Sequence, residues 1–195
     1  MDDSDLPAAT DIRALALSDG RPLPSGDAVT RLDTLQGSRA ASTCQAMITI
    51  RVSTPQDGAR VVEIWCQAVD ATHDFLSAGD RAAIEAEVRA FLPAAPLWLA
   101  VDAADRAVGF MLLDNGHMEA LFIDPACRGT GVGRLLVAHA LRLQPALTTD
   151  VNEQNGQAIG FYERMGFACI GRSALDGQGR AYPLIHLRHG GVERQ

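Results

Sequence analysis

The segment Ile123-Asp124-Pro125-Ala126-Cys127-Arg128-Gly129-Thr130-Gly131-Val132-Gly133-Arg134 constrains this chain more than any other stretch. An apolar run stops at Asp124-Pro125, three glycines follow at alternate positions, and an amphipathic helix pattern starts at Val132. Glycines let the backbone approach a ligand closely and adopt conformations barred to other residues. The first N–H groups of a helix lack intrahelical partners. Together with the helix dipole they make an anion site suited to a pyrophosphate, and Arg128 and Arg134 add positive charge. A Walker loop needs a lysine after its glycines, and all 17 basic residues here are arginine. The spacing G-x-G-x-G also departs from the dinucleotide fingerprint G-x-G-x-x-G. The alternative is a glycine-rich turn that merely lets a helix pack on a sheet.

The pattern on either side supplies that sheet. Met47 to Val52 alternates as a strand. Ser53-Thr54-Pro55 reads as a helix start, and Val61, Ile64, Trp65 and Ala68 share one face of the helix that follows. A polar stretch from Asp70 to Ser77, containing His73, reads as the helix end and a bend. Gly79-Asp80 opens a second helix, with Ile84, Val88, Phe91 and Leu92 on one face, stopped by Pro93 and Pro96. Strands are expected over 97–101, 108–113 and 117–123, the last two joined by the hairpin signal Asp114-Asn115-Gly116. The pattern then predicts a helix over 132–144, a strand over 147–151, a helix over 155–165 capped by Gly166, and strands over 167–171 and 182–187. This order predicts an α/β (α+β) domain with one central sheet.

The first 46 residues are different. They are rich in Ala, Asp, Ser, Thr, Gly and Pro, contain no aromatic residue, and carry Pro22 and Pro24 in a turn-like segment. Such a stretch cannot bury enough apolar surface to offset its ordering entropy. Residues 1–46 are therefore expected to be a flexible tail and 47–195 the domain. A start of the reading frame at Met47 is the alternative.

Charge and cysteine usage exclude several function classes. The formal net charge of −7 argues against nucleic acid, which needs a basic face, and suits a cationic substrate better than an anionic one. Cys44, Cys66, Cys127 and Cys169 form no C-x-x-C pair and no metal spacing with histidine. They read as reduced cysteines of a cytoplasmic protein. No metal, no membrane segment and no secretory signal are expected.

Two blocks carry a family resemblance. Arg128-x-x-Gly131-x-Gly133 resembles motif A of the GNAT acetyltransferase superfamily. Asn155-x-x-Ala158-x-x-Phe161-Tyr162-Glu163-Arg164-Met165-Gly166-Phe167 resembles its motif B, in the right order. The stretches Trp65 to Leu76, Val151 to Asn155 and Tyr182-Pro183-Leu184 are similar to a bacterial group of lysine acetyltransferases within it, so the likeness spans about residues 47–189. It implies the GNAT-like acyl-CoA N-acyltransferase fold, with a mixed, mostly antiparallel sheet flanked by helices. It also implies acetyl transfer from acetyl-CoA to a primary amine, by a monomer or homodimer.

Residue roles follow from the resemblance. The backbone of Leu121, Phe122 and Ile123 would pair with the pantetheine arm much as an added strand would. Gly129, Thr130, Gly131, Val132, Gly133 and Arg134, with Arg128, would hold the pyrophosphate. Asn155 would contact the donor, or serve as an ordinary N-cap. Collapse of the tetrahedral intermediate expels a thiolate, and the phenol of Tyr162 could protonate it; the alternative is a core tyrosine with a satisfied hydroxyl. The amine must first lose a proton. Strict alternation puts His117, Glu119, Leu121 and Ile123 on one strand face, and His117 or Glu119 falls where some family members carry a base. Either could equally be a solvated hairpin residue. His73 is placed to bind substrate or to cap its helix. The acceptor implied is a protein or peptide lysine. A small-molecule amine, or a non-catalytic acetyl-CoA sensor, remains the alternative.

Overall fold

A computed structural model describes residues 47–190; the expected tail and the last five residues lie outside that range. The elements follow the expected order: β1 (Thr49–Val52), α1 (Gly58–Asp70), α2 (Ala78–Phe91), β2 (Trp98–Val101), β3 (Ala107–Asp114), β4 (His117–Ile123), α3 (Val132–Leu143), β5 (Thr148–Asn152), α4 (Gly156–Arg164), β6 (Phe167–Ser173) and β7 (Leu184–His189).

Local chemistry sets the boundaries. Thr54 and Asp57 form a capping box on the turn leading into α1. The Ser77 hydroxyl accepts from the Asp80 N–H at 3.1 Å and starts α2 one residue before the expected Gly79. Asn115 and Gly116 both have positive φ, 42° and 90°, which matches the primed turn that a two-residue hairpin requires.

The strands form one sheet in the order β1-β2-β3-β4-β5-β7-β6. All neighbours are antiparallel except β4 and β5. That parallel pair is short: His117 faces Thr148, Met118 faces Thr149, and the ladder stops. Beyond this point β4 stays paired to β3, and β5 to β7. The sheet therefore opens from Glu119 onward, between β4 and β5.

Helices cover both faces. Ile64 and Trp65 of α1 and Val88 of α2 pack with Leu99, Phe110, Leu112 and Ala120 in one apolar cluster. Val132, Leu136 and Val137 of α3 and Tyr162 of α4 pack with Met111, Met118, Val151 and Leu187 in the other.

The strict alternation expected for β4 does not hold. The β3–β4 register slips between Leu112/Ala120 and Leu113/Met118, so Glu119 is an extra residue on its strand. As a result Met118, not Glu119, joins Leu121 and Ile123 on the α3–α4 side, while Ala120 and Phe122 pack against the α1–α2 cluster.

One ion pair fixes the end of β4 against α1. Arg60 Nη2 pairs with Asp124 Oδ2, the two side chains being 13% and 10% exposed. Arg60 Nε donates to the Ala107 carbonyl at the start of β3, and Asp124 Oδ1 accepts from the Ala126 N–H. Removing one partner of such a pair strands the other charge. Arg60→Ala is expected to cost about 3 kcal/mol, measurable by urea denaturation. A loss below about 1 kcal/mol would mean that the pair behaves like an exposed one.

Candidate active site

The opening between β4 and β5 leads into a cavity of about 600 Å³, within the range of small-ligand pockets. One wall is the backbone of Leu121, Phe122 and Ile123. These residues face Met111, Phe110 and Gly109 of β3 on one side and border the cavity on the other. Their outward polar groups have no strand opposite them among the described residues, which leaves an edge that an extended ligand can pair with.

The glycine loop forms the second wall. Gly129 and Gly131 have φ of 75° and 94°, conformations that disfavour other residues. A Cβ on either would meet nothing within 4 Å, so the space above them is open. Gly131 is the N-cap of α3, whose first residues Val132, Gly133 and Arg134 line the cavity. Gly133 is small for another reason: a Cβ there would lie 3.3 Å from Phe161 Cζ, where α3 passes α4. Thr130 Oγ1 donates to the Cys127 carbonyl at 2.6 Å, and Arg128 Nη2 donates to the Ala68 carbonyl at 3.2 Å. Arg128 and Arg134 both border the cavity. An open cradle of helix N–H groups with flanking guanidinium groups fits a diphosphate.

Tyr162 lies at the end of the short β4–β5 ladder, beside Met118 and Thr149. Its ring is 5.1 Å from Phe161 and 5.2 Å from Phe167, edge-on to both. Its hydroxyl donates to Met118 Sδ at 3.6 Å, a weak acceptor. Burial pushes the phenol well above its ordinary value, partly offset by a hydrogen bond with Thr149. The group therefore keeps its proton at any physiological pH. Asn155 does two things at once: its Oδ1 accepts from the Ala158 N–H at 3.1 Å as the N-cap of α4, and it borders the cavity.

The remaining sequence candidates separate. Glu119 is 3% exposed and lines the cavity, so neither it nor the half-buried His117 is a solvated hairpin residue. His117 is not among the lining residues; its Nδ1 lies 2.9 Å from Thr148 Oγ1, and burial lowers its pKa. His73 lines the cavity beside Ala68 and Thr72. The end of α1 is capped by the Thr72 hydroxyl, which donates to the Ala68 carbonyl at 2.7 Å, and not by the His73 ring. Burial, with the positive charges of Arg128 and Arg81, pulls His73 down to about 4.

Thr149, Asp150 and Asn152 on β5, and Gln157 and Arg164 on α4, also line the cavity. Asn152 and Arg164 fall inside stretches that carried the family resemblance, but nothing assigned Thr149 or Asp150 to the site. The one available signal was a polar Thr-Thr-Asp run inside a stretch expected to be a strand. Among the described residues, no group of three or more His, Cys, Asp or Glu side chains could hold a metal, and no helix is long and apolar enough to cross a membrane.

Comparison with known proteins gives this geometry a family. The acetyltransferase (GNAT) domain matches residues 67–182, and the chain belongs to that family. It is an N-acetyltransferase whose acetyl donor is acetyl-CoA. Peptidyl-lysine N-acetyltransferase YjaB of Escherichia coli K12 is 58% identical over 146 residues, which cover 75% of this chain and 99% of that protein. The Salmonella typhimurium protein of the same name is 57% identical, over 72% of this chain and 97% of its own. The solution structure of apo YjaB from Escherichia coli superposes with a TM-score of 0.72, covering 74% of this chain and 99% of that one. At 15% identity, an N-acetyltransferase of Thermoplasma acidophilum in complex with coenzyme A shares the fold, with a TM-score of 0.57 over 72% of this chain and 98% of its own.

Two outcomes follow from the loop and from His73. Gly131→Glu fills the open cradle with bulk and negative charge. Acetyl-CoA binding by calorimetry is expected to disappear while the circular dichroism spectrum is kept; retained affinity would refute the loop's role. For His73, an unfolded histidine titrates near 6.5 and the folded one near 4. Between those values the unfolded chain holds the extra proton, so stability present above pH 6.5 is lost as pH falls through the window. His117 and His139, also lowered by burial, act in the same sense. His73→Gln should reduce the slope of unfolding free energy against pH between 6.5 and 4 by up to about one proton. An unchanged slope would mean that the ring is not held neutral.

Proposed function

We propose that the protein transfers the acetyl group of acetyl-CoA to the side-chain amine of a lysine in a protein or peptide, with Tyr162 as general acid. The observation that carries this reading is the position of Tyr162. It is a buried, protonated phenol at the apex of the β4–β5 opening, in the same cavity as the loop from Gly129 to Arg134. The acceptor class comes from the peptidyl-lysine N-acetyltransferases that this chain resembles over nearly their full length.

In this reading the loop N–H groups, with Arg128 and Arg134, bind the diphosphate, and the free edge of Leu121, Phe122 and Ile123 aligns the pantetheine arm. The donor supplies an activated thioester. An N–H on that edge polarises its carbonyl as charge develops on oxygen. The Tyr162 hydroxyl gives its proton to the departing sulfur, and the proton that the attacking nitrogen sheds as the amide forms restores the phenol. Burial makes it a weaker acid than a free phenol, yet guarantees that the proton is there to give. Glu119, enclosed in the same cavity, adds the negative potential that draws an ammonium inward. His73 borders the mouth on the α1 side and contacts the acceptor. The chain has no lysine, so the acceptor is a different molecule.

The test is Tyr162→Phe assayed with acetyl-CoA and lysine-containing peptides. Turnover is expected to fall by about tenfold or more, with acetyl-CoA affinity unchanged. Full turnover in the variant would mean that water or another group protonates the thiolate.

A further inference from the structure

The reaction needs a place for the ammonium proton to go, and three residues on three different strands form a group that the roles above leave unused. Asp150 on β5 faces His186 on β7 in register, and His186 Nδ1 lies 2.7 Å from Asp150 Oδ1. The other ring nitrogen, Nε2, lies 2.7 Å from Ser173 Oγ on β6. Room for the imidazole is made by Gly171, which pairs with His186: a Cβ there would stand 3.3 Å from His186 Cδ2. Asp150 is 6% exposed and lines the cavity. Its second oxygen, Oδ2, is enclosed and has no hydrogen-bond partner among the described residues.

That last fact separates two readings of the group. A purely structural carboxylate in a protein interior has its lone pairs filled, because leaving them bare is costly. Here one oxygen is held by the histidine, and the other is enclosed without a partner in a residue that borders the cavity. The complement to a buried carboxylate oxygen is a charged N–H donor. A serine hydroxyl that donates to Nε2 leaves the ring proton on Nδ1, directed at Oδ1. Ser173 thereby fixes the histidine tautomer, and His186 fixes the carboxylate.

We propose that Asp150 receives the acceptor's primary ammonium on Oδ2 and takes its proton, with His186 and Ser173 as positioning residues. This rests on the amine-acceptor reading above and names the base it requires. One N–H bond of the ammonium breaks and its electron pair stays on nitrogen, now the nucleophile. An O–H bond forms at Oδ2, and the proton passes to water before the next turnover. The geometry is three residues deep because a carboxylate that merely floated in the cavity would present its oxygens at random.

The full-length protein is assayed with acetyl-CoA and two acceptors: N-acetyl-lysine methylamide, and its S-(2-aminoethyl)cysteine counterpart, an isostere with a less basic amine. Asp150→Asn is expected to lower kcat for the lysine compound by about 100-fold, with acetyl-CoA affinity by calorimetry within about twofold of the parent. The loss should be clearly smaller for the less basic amine, part of which is already unprotonated. His186→Phe should lower kcat in the same graded way, and His186→Asn, whose amide can still donate to Oδ1, should restore most of it. Ser173→Ala, at the half-exposed end, provides a milder variant should the others fold poorly; about a threefold fall with the same dependence on amine basicity is expected. Equal losses for both amines, or full kcat in all four variants, overturn the proposal. So does a Glu119→Gln variant that alone abolishes the dependence on basicity. A parent protein that acetylates neither compound removes the acceptor reading, and this one with it.

Discussion

The site exists because β4 and β5 stop pairing after two residues. A parallel ladder carried to the end of both strands would seal the sheet and place side chains where the cavity now lies. Instead β4 keeps β3 as its neighbour, β5 keeps β7, and the two halves separate from Glu119 onward. The extra residue in β4 sits at that point. A bulge bends its strand and increases local twist, so the register slip and the opening occur at one place. Tyr162 fills the apex from the α4 side, while Asp150 borders the cavity from β5.

A divergent sheet needs reinforcement, since each half exposes backbone that water must otherwise solvate. Apolar packing supplies part of it: the cluster under α3 and α4 takes residues from β3, β4, β5 and β7 together. Arg60 supplies another part by joining α1, the start of β3 and the end of β4. The glycine loop begins next to Asp124, so the position of that loop depends on a charge pair outside it. Within the cradle the glycines divide the work. Gly129 and Gly131 supply backbone conformation over open space, whereas Gly133 allows close contact between helices.

Element order, the hairpin at Asn115-Gly116 and the loop from Ile123 to Arg134 were legible in the sequence because each is a local signal: period, turn chemistry, cap. β4 was read with its observed limits, and still its faces were misread, because a bulge shifts side chains without changing composition. Tyr162 was legible through the block around it. Asp150, His186 and Ser173 were not: they are separated by 36 and 13 positions along the chain. The strand order β5-β7-β6 alone brings them together. His73, expected in the bend after α1, borders the cavity. The residue that caps the helix end is its neighbour Thr72, whose hydroxyl competes better for a carbonyl at that spacing.

A sheet with a missing rung has a thermodynamic consequence. Whatever lies along Leu121 to Ile123 contributes the bonds of an absent strand, and it does so only to the folded chain. Binding of that kind raises resistance to unfolding in proportion to the logarithm of ligand supply. In the reading proposed above, the groups concerned are a diphosphate and a pantetheine amide chain, which belong to the carrier and not to the acetyl group. On the proposed reading, donor and spent product protect the enzyme alike, its lifetime tracking total coenzyme A and its rate the acetylated fraction.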